Sequence, residues 1–182
     1  MAIISTEAIV LRSIPHRETS IIAFFFTRKC GKVIGVLKGI RKDPRKFGSS
    51  VDKFSVNDIV FYQYRNTDIH LVSQCDMKEF FPALRGDIKK ITAGEYACEL
   101  VNKIMPLEER NPKVFDLLLD FFRSLGSERD VSRLVHMFQI KILTLSGFRP
   151  HIDSCVRCGC EVKARARFSM SRGGLVCTGC ET

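Results

Sequence analysis

Three patterns of apolar and polar positions follow one another along the chain. Residues 3–14 are rich in β-branched side chains, residues 20–27 are nearly all apolar, and Val33, Gly35 and Leu37 alternate loosely with their neighbours over 32–38. Short runs of this kind predict strands. Arg28-Lys29-Cys30-Gly31 has the make-up of a hairpin turn, with Gly31 available for a positive φ. Residues 40–50, which follow Gly39 and contain Pro44, Gly48 and two serines, read as a flexible connection carrying Arg41, Lys42, Arg45 and Lys46. Two more strands are predicted over 57–64 and 69–75, joined by Arg65-Asn66-Thr67-Asp68. Five short strands with a basic loop between the third and fourth fit a small closed or partly open barrel, and an SH3-like barrel suits the pattern nearly as well. From Pro82 the period lengthens to three or four residues. Ile88, Ile91, Ala97, Leu100, Val101 and Ile104 mark one amphipathic helix, Val114 to Phe122 a second, and Val131 to Leu145 a third. Pro106 and Asn111-Pro112 punctuate the first gap, Gly126-Ser127 the second, and Gly147 followed by Pro150 ends the third helix. The change of period puts a boundary between a β part and an α part near residues 79–86.

Composition agrees with a globular protein of one or two domains: 182 residues, 45% hydrophobic, mean hydropathy +0.01. The longest purely apolar runs, such as 21–26, fall far below the roughly 20 residues of a membrane span, and the opening Met-Ala-Ile-Ile-Ser-Thr-Glu has no signal-peptide pattern. No membrane association and a cytoplasmic address are expected. Lys and Arg number 29 against 20 acids, a net charge of +9, which favours an anionic partner. The excess is uneven: residues 1–50 hold 10 basic and 3 acidic groups, and residues 149–182 hold 6 and 3.

Eight cysteines in a reducing compartment call for something other than disulfides. Cys30, Cys75 and Cys98 lie in apolar contexts and read as buried thiols. Cys155-Val-Arg-Cys158 and Cys177-Thr-Gly-Cys180, separated by 18 residues, have the spacing of two zinc knuckles brought together by a hairpin, for which Arg167-Phe168-Ser169 and Gly173-Gly174-Leu175 are suited. Four thiolates leave no open coordination position, so the predicted Zn²⁺ is structural. Cys160 reads as a spare thiol, although it is placed to replace Cys158 in a CxxxxC pair.

Lys38, Arg41, Lys42, Arg45 and Lys46, with Phe47 leaving the loop, suit successive phosphates and a stacked base, against the plainer reading of a solvated loop. Arg12, Arg17, Arg28, Lys29 and Lys32 are expected to extend that surface. Tyr62, Tyr64, Phe24 and Phe26 alternate on strands, as core aromatics do. His16, His70, His136 and His151 show no triad spacing and are expected to be structural or exposed. No phosphate-binding glycine loop, nucleophile elbow or HExxH helix occurs, so binding is favoured over catalysis and the protein is expected not to be an enzyme.

A resemblance adds to this reading. Thr6-Glu-Ala-Ile-Val-Leu-Arg-Ser, Glu18-Thr-Ser, Phe25-Phe-Thr-Arg-Lys-Cys-Gly, Val36-Leu-Lys-Gly-Ile-Arg-Lys and Leu145-Ser-Gly-Phe-Arg-Pro, leading into the first knuckle and Phe168-Ser, together resemble the RecO family of DNA repair and recombination mediators. The resemblance spans essentially the whole chain. It implies an α+β protein with an N-terminal OB-fold over 1–81 and a helical domain over 82–182 with a zinc finger at 150–182. It implies binding of single- and double-stranded DNA, strand annealing, and a mediator role of the RecF-pathway type, in which recombinase is loaded onto single-stranded DNA coated by single-strand-binding protein. RecR and the C-terminal tail of single-strand-binding protein are the implied partners, in a bacterial cytoplasm near the nucleoid. By position, Lys38, Arg41, Lys42, Arg45 and Lys46 become the DNA contacts, with Arg28 and Lys29 beside them, and Cys155, Cys158, Cys177 and Cys180 the zinc ligands. The alternative from a different class is a zinc-containing protein-interaction adaptor without direct DNA binding. Relative to the family the chain is short after its second knuckle, either as a shortened form or as an incomplete sequence; if the final helices are missing, partly uncovered apolar faces over 87–147 are expected, favouring oligomerisation or instability.

Overall fold

The run Ala8-Ile9-Val10-Leu11 is buried at every side chain, which is why the first strand shows no clean alternation: one of its faces lines a barrel and the other lies under helices. The computed structural model describes residues 2–43, 47, 51–162 and 165–180. Its first five strands are β1 (Ala2–His16), β2 (Ser20–Thr27), β3 (Gly31–Leu37), β4 (Ser55–Gln63) and β5 (Ile69–Phe80). β1 serves two neighbours. Its first half pairs antiparallel with β4, from Ala2 opposite Gln63 to Ile9 opposite Val56, and its second half with β2, from Ala8 opposite Thr27 to His16 opposite Ser20. A register shift between Val10 and Arg12 bends the strand between the two pairings. β3 meets β5 in a short parallel contact from Ile34 opposite Ile69 to Val36 opposite Leu71, and the order β1-β2-β3-β5-β4 closes on itself.

Closure depends on size matching inside. Phe25, Phe61, Leu37, Ile59 and Val72 fill the interior opposite Ala8, Ala23 and Gly35. A Cβ on Gly35 would lie 2.5 Å from Val72 Cγ2 and 3.2 Å from the Phe25 ring, so these small residues make room for the large ones. β5 runs past the expected residue 75 to Phe80 because residues 76–80 pair with the start of β4, a match that its mixed polar sequence does not advertise.

The three predicted helices are present as α1 (Ile88–Ile104), α2 (Pro112–Ser127) and α3 (Val131–Leu145). Asp87 caps α1 through the amide of Lys89, and Asn111 caps α2 through the amide of Val114 with Pro112 at the first helical position. Gly126 and Ser127 form the last turn of α2 instead of following it, since Glu128 closes the helix on the Ser124 carbonyl. Phe54 and Phe81 both pack on Phe122, and the Cys98 thiol points at the Val10 carbonyl. The chain forms two compact units, Met1–Phe138 and Gln139–Thr182. Ile88 and Met137 of the first, and Ile140 of the second, leave apolar surface exposed.

Ion pairs tie strands to helices. Arg28 Nε donates to Glu7 Oε2 and its Nη1 to Asp116 Oδ1, both at 2.6 Å, while the guanidinium lies 4.3 Å from the centre of the Phe115 ring. Lys78 also pairs with Glu7, Lys53 with Glu95, and Arg123 binds Glu79 through two nitrogens.

Two consequences can be measured. Gly31 sits at φ +68 with the Glu109 carbonyl oxygen only 1.9 Å from where a Cβ would stand, whereas Gly39, at φ +80, has open space. Gly39→Ala is therefore expected to cost about 1–2 kcal/mol from backbone strain alone, and Gly31→Ala clearly more, read as midpoints of urea unfolding. The hydrogen bonds from Lys78 and Arg28 hold the Glu7 carboxyl below its ordinary value. Their stabilisation is present above the unfolded carboxylate value and is lost as pH falls through the lowered folded one. Glu7→Gln should cost roughly 1 kcal/mol near neutrality, and the gap to the parent should close in strong acid in the same unfolding measurement.

Candidate metal centre and basic barrel surface

The second unit is organised by a hairpin of two four-residue strands, β6 (Ala166–Ser169) and β7 (Gly174–Cys177), in antiparallel register with Ala166 opposite Cys177. Segment 151–156 lies along β7: the His151 amide donates to the Gly173 carbonyl, the Leu175 amide to the His151 carbonyl, and the Val156 amide to the Leu175 carbonyl. This brings the first CxxC turn beside the second. The first turn is closed by the Gly159 amide on the Cys155 carbonyl and by the Cys155 amide on the Cys160 carbonyl, both at 2.8 Å. The sulfurs of Cys155, Cys158, Cys177 and Cys180 all lie within 4.8 Å of one another, a cluster that could hold a metal ion. Cys155 is buried, and its Sγ accepts from the amides of Cys177 and Arg157 at 3.4 Å each. The Cys177 amide leads in pulling the Cys155 thiol down to about 6, so its ligating thiolate form is favoured. Cys160 lies against the cluster, with its Sγ 3.2 Å from that of Cys158. Of the other thiols, Cys75 and Cys98 are buried and Cys30 half-buried; burial pushes Cys98 far up.

The basic residues expected to form one surface divide between two ends of the barrel. Lys38, Arg41 and Lys42 are exposed where β3 ends. The Arg41 amide donates to the Thr19 carbonyl and its guanidinium to the Arg17 carbonyl at 3.3 Å, so the β1–β2 turn brings exposed Arg17 alongside them. Arg28 and Lys29 occupy the β2–β3 turn at the other end of the same strands, on the order of 20 Å away for strands of this length. Arg28 is held by Glu7, Asp116 and Phe115, and Lys29 Nζ donates to the Ser5 carbonyl. Lys32 reaches the Asn102 carbonyl at 2.7 Å. Arg45 and Lys46 lie outside the described residues.

Aromatic placement corrects one expectation and refines another. Phe47, read as a ring leaving the loop to stack on a base, is 4% exposed and packs in the barrel core with Ile40 and Val51. An apolar ring entering a basic loop gains more from burial than a sequence scan for base-stacking rings allows. Phe26 is likewise buried. Phe24 is half-buried on the outer face, in a cross-strand row running from exposed Arg12 through Phe24 and Ile34 to Ile69. The adjacent row joins Ile14, Ile22, Val36, Leu71 and Tyr62 to Ile3, which is 65% exposed. This open apolar face, bordered by Arg12 and leading to the Lys38–Lys42 end, emerges only when the strands are paired.

His70 is buried: its Nδ1 accepts from the Tyr64 amide and its Nε2 lies 2.5 Å from Glu108 Oε1, a structural arrangement. His151 Nε2 is 2.7 Å from the Ser154 hydroxyl on the exposed surface. Sequence spacing missed a cleft of about 320 Å³ on the cysteine hairpin, lined in part by Arg157, Arg167, Phe168 and Arg172. The available signal was the Arg-x-Arg-Phe-Ser-Met-Ser-Arg stretch over 165–172.

The two parts of the chain match two family models in sequence order. Residues 1–81 match Recombination protein O N terminal, and residues 85–182 match Recombination protein O C terminal. The chain is 33% identical over 179 residues to the DNA repair protein RecO of Alkaliphilus metalliredigens, covering 98% of this chain and 72% of that one. It is 32% identical to the DNA repair protein RecO of Symbiobacterium thermophilum, covering 99% and 72%, and 32% identical to that of Geobacter sulfurreducens, covering 97% and 72%. With both family models in order and relatives of this identity along nearly its whole length, the chain belongs to the RecO family of DNA repair proteins.

Proposed function

We propose that this protein is a DNA-binding recombination mediator that anneals complementary strands and acts without bond-making chemistry. The barrel is read as an OB-fold, whose second and third strands commonly present the ligand face. The observation that carries this reading is the juxtaposition of Arg17, Lys38, Arg41 and Lys42 at one barrel end with the open outer face bearing Arg12 and Phe24. Cations there neutralise successive phosphates and release counterions, while Phe24 and the aliphatic row offer flat surface to unpaired bases. Neutralising two strands at once lowers their mutual repulsion, after which base pairing supplies the free energy and ATP is not needed. Family membership supports the finer reading: a role of the RecF-pathway type, with RecR and the acidic tail of single-strand-binding protein as partners and a place near the bacterial nucleoid.

We read the cysteine cluster as a structural Zn²⁺ site. Four sulfurs at about 2.3 Å from a tetrahedral ion stand about 3.8 Å apart; Cys158 and Cys177 are 3.7 Å apart, and the whole set lies within 4.8 Å. Two knuckle turns with amide donors on Cys155 suit thiolate ligands, and when bound the ion crosslinks a unit with little apolar core. Cys155 and Cys177 would hold it from the two knuckles, with Cys158 and Cys180 completing the set.

Two measurements test this. Fluorescence anisotropy of a labelled single-stranded oligonucleotide should show tight, strongly salt-dependent binding by the parent, and Lys38→Glu/Arg41→Glu/Lys42→Glu should weaken it at least tenfold with a flatter log–log salt slope. Absence of parent binding at low salt would favour the adaptor reading instead. Metal analysis should find one zinc per chain, lost in Cys155→Ser and Cys177→Ser and kept in Cys160→Ser.

A further inference from the structure

The cysteine hairpin carries a second concentration of positive charge. From Arg165 to Cys180 the chain has three arginines and no acid. Arg157, Arg167 and Arg172 all line one cleft of about 320 Å³ with Phe168, a residue that is 50% exposed. Arg157 has a set position because its Nη1 donates to the Cys180 carbonyl at 2.6 Å. Phe168 is held from the other side by strand register, opposite Leu175, on a hairpin that the knuckles fix at its base. Leaving half of Phe168 in water forfeits burial free energy, and three arginines lining the same cleft make a surface suited to a flat, anionic ligand.

We infer that this cleft is a second single-stranded nucleic-acid contact, with an unpaired base stacked on Phe168 and the flanking phosphates met by Arg167 and Arg172. The inference rests on the DNA-binding reading above and adds to it a site apart from the barrel surface. An acidic peptide would satisfy the arginines equally, but it also needs a socket for an apolar anchor. Among the described residues Phe168 and Val176 are the apolar side chains lining this cleft, and Val176 is buried, so they offer a stacking platform and no apolar socket. The cleft volume is of the order of one nucleotide, and base stacking tolerates any sequence.

The test uses the full zinc-loaded chain and a labelled oligothymidylate beside an abasic oligonucleotide of equal length, titrated across a salt series. Arg167→Gln/Arg172→Gln is expected to flatten the log–log salt slope by about 1.4, close to 0.7 for each single-strand phosphate that is no longer neutralised. Phe168→Ala is expected to weaken oligothymidylate binding about tenfold while leaving abasic binding unchanged. Zinc content equal to the parent's certifies that the hairpin is intact in each variant. Parent-like slope and affinity in both variants, with the parent itself binding, would overturn this site and leave the barrel reading standing. An acidic peptide captured through Arg167 and Arg172 without any change in DNA affinity would overturn it equally. A parent that binds no oligonucleotide at low salt would remove both readings together.

Discussion

The length of β1 and the way it is shared between β2 and β4 is the constraint on which the rest of the first unit depends. β1 pairs over its first half with β4 and over its second with β2, and the register shift between Val10 and Arg12 bends it near the change of partner, which helps the five strands close. Closure then requires a tight interior, which Ala8, Ala23 and Gly35 make possible beside Phe25 and Phe61. The short parallel contact of β3 with β5 sets where the outer faces of those strands meet. From it follow the continuous rows Arg12–Phe24–Ile34–Ile69 and Ile14–Ile22–Val36–Leu71–Tyr62, which make up the barrel face proposed to receive bases.

Topology also sorts the positive charge by role. Antiparallel pairing of β2 with β3 sends residues 28–30 to one end and residues 17–19 and 38–42 to the other. At the first end Arg28 meets Glu7, Asp116 and the face of Phe115, a set that holds strand and helix together. Lys53 and Arg123 are also paired with acids across elements. The net charge of +9 is therefore a poor guide to the number of cations that face a partner. What matters is how many lie on one surface, and Arg17, Lys38, Arg41 and Lys42 do.

The second unit solves a different problem. Its hairpin strands are four residues long, and among its described residues few apolar side chains are buried, chiefly Ile142, Cys155 and Val176. A segment this small gains too little from apolar burial to offset its conformational entropy, and a metal ion held by the four convergent thiolates would be a physically sufficient substitute for a core. That economy leaves its arginines and Phe168 at the surface, where they are available for recognition.

Much was legible in the sequence because it depends on neighbours a few residues apart. Turn residues at 28–31, alternating runs for the strands, the three-to-four-residue period for the helices and the paired CxxC spacing each encode local geometry, and each element is present. The extension of β5 and the retention of Gly126 in α2 escaped because pairing partners and a carbonyl several residues away decided them. Phe47 in the core, Arg28 in an ion-pair set and Arg157 joining the 167–172 stretch at one cleft were decided by contacts between distant segments. Local sequence determines what backbone a segment prefers and which chemistry it carries, but exposure is a property of what packs against a side chain, and only the tertiary structure supplies that.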